Sequence, residues 1–419
     1  MRVWYRHIDL GIVVPWFGLV LIGLVAIYST THGPASEFLL ETVQNNFNRQ
    51  LMWLGICVAV GVVVISVPVR FYQYGAYPIY GLHVLLLLAA LFGGTEINGA
   101  RSWLRIGPIQ LQVSELAKVG TVLAVAQLLS ARRRNAGSVR YALLSVILIT
   151  IPAVIIVLQN DMGTALIFAG LIPVMLFWSG LPATTLSLMV APAVAGYLAI
   201  LYMPAAIAFS ILFTLGILWL TRERYLAILA FVFSGGTVAA LTFALTSILQ
   251  PYQVSRLLSF TNPEAAEYRD NVGFHLVQSK AAIGSGGLTG KGFMQGTQTQ
   301  GAYVPEQSTD FVFSVIGEEF GLVGGIAVLL LFGVLLLRLI MLGVQIKHPF
   351  AVMVAAGAVG VYLIHVFINI GMAMGILPVI GIPLPFMSYG GSALLSNTTM
   401  LAIVLNLSIR RDEFSIYGY

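Results

Sequence analysis

Long apolar runs alternate along this chain with short polar joints, and most runs are long enough for a helix to cross hydrocarbon, which takes about 20 residues. The runs predict spans over 9–29, 50–67, 74–93, 113–130, 141–159, 164–180, 183–203, 205–221, 226–249, 314–340, 350–372 and 390–409, about twelve in all. The seventh and eighth are joined only by a tight turn near Pro204. One large break interrupts the pattern, a polar loop over about 250–311. From Pro251 to Glu319 the chain holds seven of its 16 acidic residues and four of its 21 basic ones. Such a segment persists in a membrane protein only if it works in water or at the lipid boundary, so chemistry is expected there first.

Composition turns this pattern into a fold class. The 419 residues are 58% hydrophobic and 9% charged, against about 25% charged in a soluble domain. The expectation is an all-α polytopic membrane protein, one bundle over residues 1–419. Twelve spans put both termini on one side. With that side cytoplasmic, 13 of 21 Lys and Arg residues fall inside, as the positive-inside rule requires. The net charge of +5 then reflects cytoplasmic loops, and no nucleic-acid partner is implied. The first run reads as an uncleaved signal anchor. Cys57 is the single cysteine, so no internal disulfide forms. Arg101, Arg105 and the long loop face outward, and basic residues on that side call for an anionic ligand.

Four polar clusters carry the candidate chemistry. The first is NGARSWLRIG over 98–107, followed by QLQVSELAK over 110–118. Arg101 and Arg105 flank Trp103; two guanidinium groups can fork onto phosphate oxygens, and the same trio also suits an interfacial anchor. Glu115 and Lys118, three apart on one helix, read equally as a functional pair and as a buried structural ion pair. The second cluster is QNDMGT over 159–164, in which Thr164 reads as a helix cap and Asp161 as either a cap or a site residue.

The long loop is the third. GSGGLTGKG over 284–292 looks like a phosphate cradle but does not match the P-loop spacing, and glycine-rich turns are commonly only turns. Asp310 in VPEQSTDFVF lies where the chain re-enters the membrane, where partial burial would raise a carboxyl towards a general base's range. Glu306 is its neighbour, and Glu318 and Glu319 are expected at the N-terminus of the next helix, where negative charge is favoured. The fourth is ILPVIGIPLPFMSYGGS over 376–392, too rich in proline and glycine for a regular helix. Such backbone at membrane depth is buried in protein or lines a cavity. His365 and Asn369, four apart on the preceding helix, read as interhelical hydrogen bonders. No zinc spacing, Ser–His–Asp order or dinucleotide fingerprint appears, and the cytoplasmic loops are too short for an ATPase.

These clusters, in this order and over nearly the whole chain, resemble the SEDS family (shape, elongation, division and sporulation), polytopic glycosyltransferases that polymerise lipid II into peptidoglycan strands. GILPVIGIPLPF from Gly375 and GFMQGTQT from Gly292 are most similar to the members that serve elongation and rod shape rather than division. The resemblance places the family's essential carboxylate on Asp310 as general base. It implies substrate-binding roles for Arg101, Trp103, Arg105, Ser114, Glu115, Lys118, Arg256, Gln278 and Ser279, and Asp161, Lys291, Glu306 and Thr309 join them as candidates from the polar clusters themselves. Arg256 belongs to a Tyr252, Gln253, Arg256 element. Three departures stand out. Val113 and Asn160 occupy positions where the family usually has proline, and about twelve spans replace the family's ten. The surplus pair, about 182–221, reads as an inserted helix pair without catalytic residues.

The implied reaction joins the sugar 4-hydroxyl of lipid II to the anomeric carbon of a lipid-linked glycan and releases undecaprenyl pyrophosphate. A glycosidase needs a second carboxyl as acid because its leaving alkoxide is poor. Pyrophosphate leaves once its charge is neutralised, so one base and several cations suffice. A divalent cation (Mg or Mn) could assist, although no carboxylate cluster demands one. The implied partners are lipid II, the nascent glycan, a class B penicillin-binding protein and the elongation machinery, in the bacterial cytoplasmic (inner) membrane, with both termini cytoplasmic and the active site outside. The rival readings are a lipid II flippase, a scaffold for a partner synthase and the division-specific paralogue.

Overall fold

The computed structural model describes residues 8–34, 36, 39–97, 99–107, 109–134, 139–247, 254, 258–263 and 272–410. Among them, eleven helices are long and apolar enough to cross a membrane. They are α1 (Leu10–His32), α2 (Asn46–Ser66), α3 (Val69–Gly93), α4 (Val113–Arg134), α5 (Val139–Leu158), α7 (Ala183–Leu201), α8 (Met203–Thr221), α9 (Arg224–Ser247), α12 (Gly321–Gln345), α13 (Pro349–Ala373) and α14 (Gly391–Ile409). The shorter apolar α6 (Met162–Trp178) makes twelve. Each predicted run thus has its helix. The loop region and its end carry α10 (Val272–Ser285) and α11 (Val312–Glu319), and two four-residue helical turns, Glu41–Gln44 and Thr297–Gln300, complete the described helices. The run predicted as one span over 314–340 is two helices. Gly321 has φ +64, a left-handed conformation that ends α11 and restarts the chain as α12.

The contacts fall into two compact units. The first comprises residues 1–175, 278–374 and 380–419. At its centre lie α4, α13 and α14, in which 83%, 78% and 78% of the membrane-length window is buried, against 22% for α2 and α3. Close packing is possible because α13 carries the run VAAGAVGV over 354–361. A Cβ on Gly357 would collide with Val122 of α4, and one on Gly360 would crowd Leu171 and Val174 of α6. Small residues let backbones approach in this way where no hydrophobic effect drives helices together. Away from the loop region, Asp9 caps α1 by accepting from Gly11 N at 2.9 Å and pairs with Arg338 of α12 at 2.9 Å.

The second unit comprises residues 176–277 and 375–379. Here α7, α8 and α9 pack through Leu188, Ile217 and Ala230 at one level and Ala195, Ala206 and Val238 at another. Tyr202 alone separates α7 from α8, and Pro204 sits in the first turn of α8, where its missing N–H costs nothing. This is the tight turn that the sequence requires between the seventh and eighth runs.

The sequence reading missed a three-stranded antiparallel sheet, β1 (Thr95–Ile97), β2 (Ala100–Ile106) and β3 (Ile109–Gln112), between α3 and α4. Its register pairs Trp103 with Gln112 and Arg105 with Gln110. Gly99 (φ +81) and Gly107 (φ +62) supply the left-handed positions that its turns need.

Candidate functional site

Asp310 lies one residue before Phe311, the N-cap of α11, and every residue of α11 is buried. Its segment is stitched down on both sides. Ser388 Oγ donates to Thr309 O, and Tyr389 N donates to Ser308 O at 2.8 Å. From α13, Asn369 Nδ2 donates to Asp310 O at 2.8 Å and to Ile382 O at 2.7 Å. The proline-rich loop is therefore fastened beside the carboxylate. A Cβ on Gly381 (φ +76) would lie 3.2 Å from Asp310 Oδ2. Gly381 itself is exposed, and Asp310 is half-buried, so the carboxylate stands at an opening rather than in a closed core. Burial, and secondarily the charge of Glu306, push its pKa up to about 7 from an ordinary 3.8. Among the described residues, none donates a hydrogen bond to this carboxylate.

The second cluster meets the first at the same place. Asp161 caps α6: Oδ1 accepts from Thr164 N at 3.1 Å and Oδ2 from Thr164 Oγ1 at 3.0 Å. The cap is thus Asp161, and Thr164 is the residue it holds, which corrects the expectation for Thr164. Asp161 Oδ2 also accepts from Ser114 Oγ at 2.8 Å and from Gln112 Nε2 at 3.1 Å, so it fastens the start of α4 to the start of α6. A Cβ on Gly163 would crowd Ile382 and the carbonyls of Ile380 and Gly381. Asn160 has φ +61. A proline, fixed near −65°, cannot adopt that angle, so the departure from the family pattern here goes with a distinct turn.

Glu115 and Lys118 form an ion pair at 2.7 Å, with side chains 2% and 1% exposed. Lys118 Nζ also lies 2.9 Å from His365 Nε2, while His365 Nδ1 lies 2.7 Å from Val361 O. A carbonyl only accepts, so the imidazole proton sits on Nδ1, and Nε2 accepts from the ammonium. Lys118 is therefore buried inside the protein rather than presented to a pyrophosphate. Asn369 follows His365 by one helical turn, so this cluster abuts the Asp310 anchor.

Arg101, Trp103 and Arg105 lie on one face of β2, since side chains alternate along a strand. Both arginines are exposed. Arg101 pairs with Glu96 at 3.0 Å, and Arg105 Nε donates to Gly107 O at 3.3 Å. Arg101 N donates to Gln159 O at 2.9 Å, which ties the sheet to the turn that ends in Asp161. The sheet, the starts of α4 and α6, the proline-rich loop from residue 380 and Asp310 thus share one end of the first unit.

Other candidates take structural posts. Lys291 Nζ pairs with Glu318 Oε1 at 2.7 Å and donates to Ser285 and Thr297 at 2.7 Å each. Its ammonium is committed to holding the loop. Glu318, buried at the end of α11, accepts from Gln298 N (2.9 Å) and Thr299 N (2.8 Å). Glu319 accepts from Ser29 Oγ and from Gln300 Nε2. These two acids therefore end one helix and bind the loop, instead of opening the next span. The glycine run is a turn, not a cradle: Lys291 N and Gly292 N donate to the carbonyls of Glu318 and Glu319. A Cβ on Gly290 (φ +81) would collide with Glu319 O. Gly290→Ala should lower the melting temperature by the equivalent of at least about 1–2 kcal/mol, read by thermal unfolding; unchanged unfolding would show that this approach is not required.

Ser279 is buried and bonds Ser314 Oγ (2.6 Å) and Ala373 O (2.7 Å), which makes it a packing contact. Gln278, half-buried, precedes it on α10. Thr309 Oγ1 donates to Glu306 Oε2 at 2.9 Å. Arg256, with Tyr252 and Gln253, lies outside the described residues. Sequence reasoning did not assign to the site Ser388, Gln112 or the backbone of Gly381; the period-two alternation around Trp103 was the available signal for the sheet. An apolar cavity of about 560 Å³ lies elsewhere, between α1 and α11–α12, lined by Leu21, Val25, Ile316 and Phe320 among others. Among the described residues, no three His, Cys, Asp or Glu side chains cluster as a metal-ligand set.

Known proteins share this sequence and this fold. The cell cycle protein family model of FtsW, RodA and SpoVE matches residues 11–210 and 203–413. Peptidoglycan glycosyltransferase RodA of Treponema pallidum is 32% identical over 97% of this chain and 98% of its own. Peptidoglycan glycosyltransferase MrdB of Escherichia coli K12 is 32% identical over 88% and 86%. A solved structure described as the structural coordination of polymerization and crosslinking by a peptidoglycan synthase complex is 29% identical, covers 96% of this chain and 98% of that one, and superposes with a TM-score of 0.72.

Proposed function

The chain belongs to the FtsW, RodA and SpoVE family of cell cycle proteins, and we propose that it polymerises lipid II with Asp310 as the general base. Its activity is that of a peptidoglycan glycosyltransferase for elongation, in a multi-pass membrane protein. The observation that carries the assignment of the base is a carboxylate pushed up to about 7, half-buried beside exposed Gly381 and fastened from both sides. A base is most useful when its pKa lies near the working pH.

In the proposed step, Asp310 takes the proton of the acceptor's 4-hydroxyl as that oxygen bonds to the donor's anomeric carbon. The bond from that carbon to the pyrophosphate oxygen breaks, and its electron pair leaves with undecaprenyl pyrophosphate. Arg101 and Arg105 receive that charge in this proposal, a role supported by their exposure on β2. The buried Lys118 acts through its field and through the groups it holds. The end of the bundle carrying Asp310 faces the outside, and both termini lie in the cytoplasm of a cell whose inner membrane holds the chain. A class B penicillin-binding protein crosslinks the product, a reading supported by the synthase complex of similar fold.

Purified protein with lipid II in detergent tests the activity without transport. Polymer should form, and its rate should rise with pH to half its maximum near pH 7, because protonated Asp310 cannot accept the hydroxyl proton. A profile flat from pH 5 to 8 would remove Asp310 as base. Lipid II flipping without polymer would support the carrier reading.

A further inference from the structure

We propose that Asn369 is the positioning residue of the catalytic carboxylate, its single amide setting the distance between the Asp310 segment and the Gly381 loop. The proposal rests on Asp310 being the base. Asn369 is fully buried on α13. Its Nδ2 reaches the carbonyl of Asp310 at 2.8 Å and that of Ile382 at 2.7 Å. Both partners can only accept, so the atom that meets them must be the NH2 group, and the orientation of the amide follows from chemistry. One donor group thus spans two chain segments 72 residues apart, each adjacent to one wall of the carboxylate's opening. Asp310 follows Thr309, which Ser388 holds, and Ile382 follows Gly381, whose Cβ position lies 3.2 Å from Asp310 Oδ2.

Among the described residues, no other side chain bonds both the Asp310 and the Ile382 carbonyls. Ser388 Oγ donates to Thr309 O and accepts from Leu384 N at 2.8 Å, and Tyr389 N donates to Ser308 O, so these bonds tie residues 308–309 to residues 384–389, whereas the Asn369 amide reaches Asp310 and Ile382 themselves. Asn369 is also not an optimised packing residue, since its Oδ1 is buried without a described partner. Asn406 Oδ1 is buried in the same way, so the two asparagines differ in which segments their amides bridge rather than in how well they are satisfied. The charged groups around the opening are Glu306 on the Asp310 segment, Asp161 at the start of α6, and the Glu115, Lys118 and His365 cluster reached through α4 and α13. From α2, Asn46 and Gln50 bond Ser308 and Ser388, with the exposed Arg49 on the same turn, and α14 contributes Ser392. Loss of the amide bridge therefore changes how deeply Asp310 is held without removing any charge.

The experiment compares Asn369→Ala with Asn406→Ala, using full-length protein and lipid II across pH 4.5–8.5. Asn406 makes the same kind of bridge, from its Nδ2 to the carbonyls of Val64, Ile65 and Val67, at the end of α14 remote from Asp310. Asn369→Ala should lower kcat by about 30-fold or more with KM within about twofold, and should move the acid limb of the rate profile down by about one pH unit or more as the carboxylate relaxes towards water. Asn406→Ala should lower the melting temperature and leave the limb in place. Asn369→Ser, which keeps one donor, should fall between wild type and alanine, and it carries the test if the alanine variant does not fold. A folded Asn369 variant whose limb does not move, or a limb that moves equally in Asn406→Ala, overturns the proposal. An active Asp310→Asn would overturn the assignment of the base instead, whatever Asn369 does.

Discussion

Asp310→Asn should leave no measurable strand polymerisation by the purified protein, a fall of at least about 10²–10⁴-fold, and should make the protein more resistant to heat at pH 8. The two effects have one cause. Burial holds the Asp310 pKa at about 7, so between pH 4 and 7 the folded protein binds a proton that the unfolded chain releases. Stability from this group is complete below about pH 4 and is lost as pH rises through about 7. Above that, the folded state carries a charge it would rather not hold. The displacement from 3.8 to about 7 corresponds to at most about 4 kcal/mol. Asparagine has nearly the same shape and cannot ionise, so it removes this cost together with the base. Thermal unfolding at pH 5 and pH 8 should show wild type losing stability between them and the variant losing less. A variant that still makes polymer, or one less stable than wild type at both pH values, would contradict the reading. The expected gain in stability on loss of function is the usual mark of a group held under strain for chemistry.

What the sequence made legible follows from which signals are local. Span positions depend on runs of about 20 residues, and each predicted run met a helix within a few residues, from 9–29 against Leu10–His32 to 390–409 against Gly391–Ile409. The break inside 314–340 was not legible because FGLVGG is apolar throughout; the stop is a backbone angle at Gly321, not a change of polarity. The sheet was hidden by its flanks, since residues 95–112 sit between long helices and only the alternation around Trp103 marks β2. At the site, residue types were legible and partners were not. Asp310 stood out as a loop carboxylate. Lys291 and Lys118 looked alike as cations, yet one closes a loop on Glu318 and the other lies buried against Glu115 and His365. That distinction needs Glu318 to arrive 27 residues after Lys291 and His365 to arrive 247 residues after Lys118, separations that no local pattern encodes.

Glu115→Leu alone should cost about 3–5 kcal/mol and leave little folded protein, because it strands the Lys118 ammonium at 1% exposure. Lys118→Met alone should be similarly damaging, with the Glu115 carboxylate left buried and His365 Nε2 deprived of its donor. The double variant, Glu115→Leu with Lys118→Met, replaces both charges by side chains of similar volume and should recover most of that loss, since a buried pair rarely outweighs its own desolvation, and should stay about 1–3 kcal/mol below wild type because His365 Nε2 still lacks its donor. Recovery of activity is the informative measurement. The pair belongs to a continuous polar path: Ser114 bonds Asp161, Ser396 Oγ bonds Glu115 O at 2.6 Å, Lys118 bonds His365, and Asn369 one turn on holds Asp310. If that path sets the site, the double variant folds, unfolds at a higher temperature than either single variant and polymerises lipid II at least about 100-fold more slowly than wild type. If it polymerises at the wild-type rate, Glu115 and Lys118 are a structural ion pair and nothing more, and charge compensation at the leaving group falls to the exposed arginines of β2. Stability and activity should therefore separate in the double variant and fall together in the singles, a pattern that a purely structural pair cannot produce.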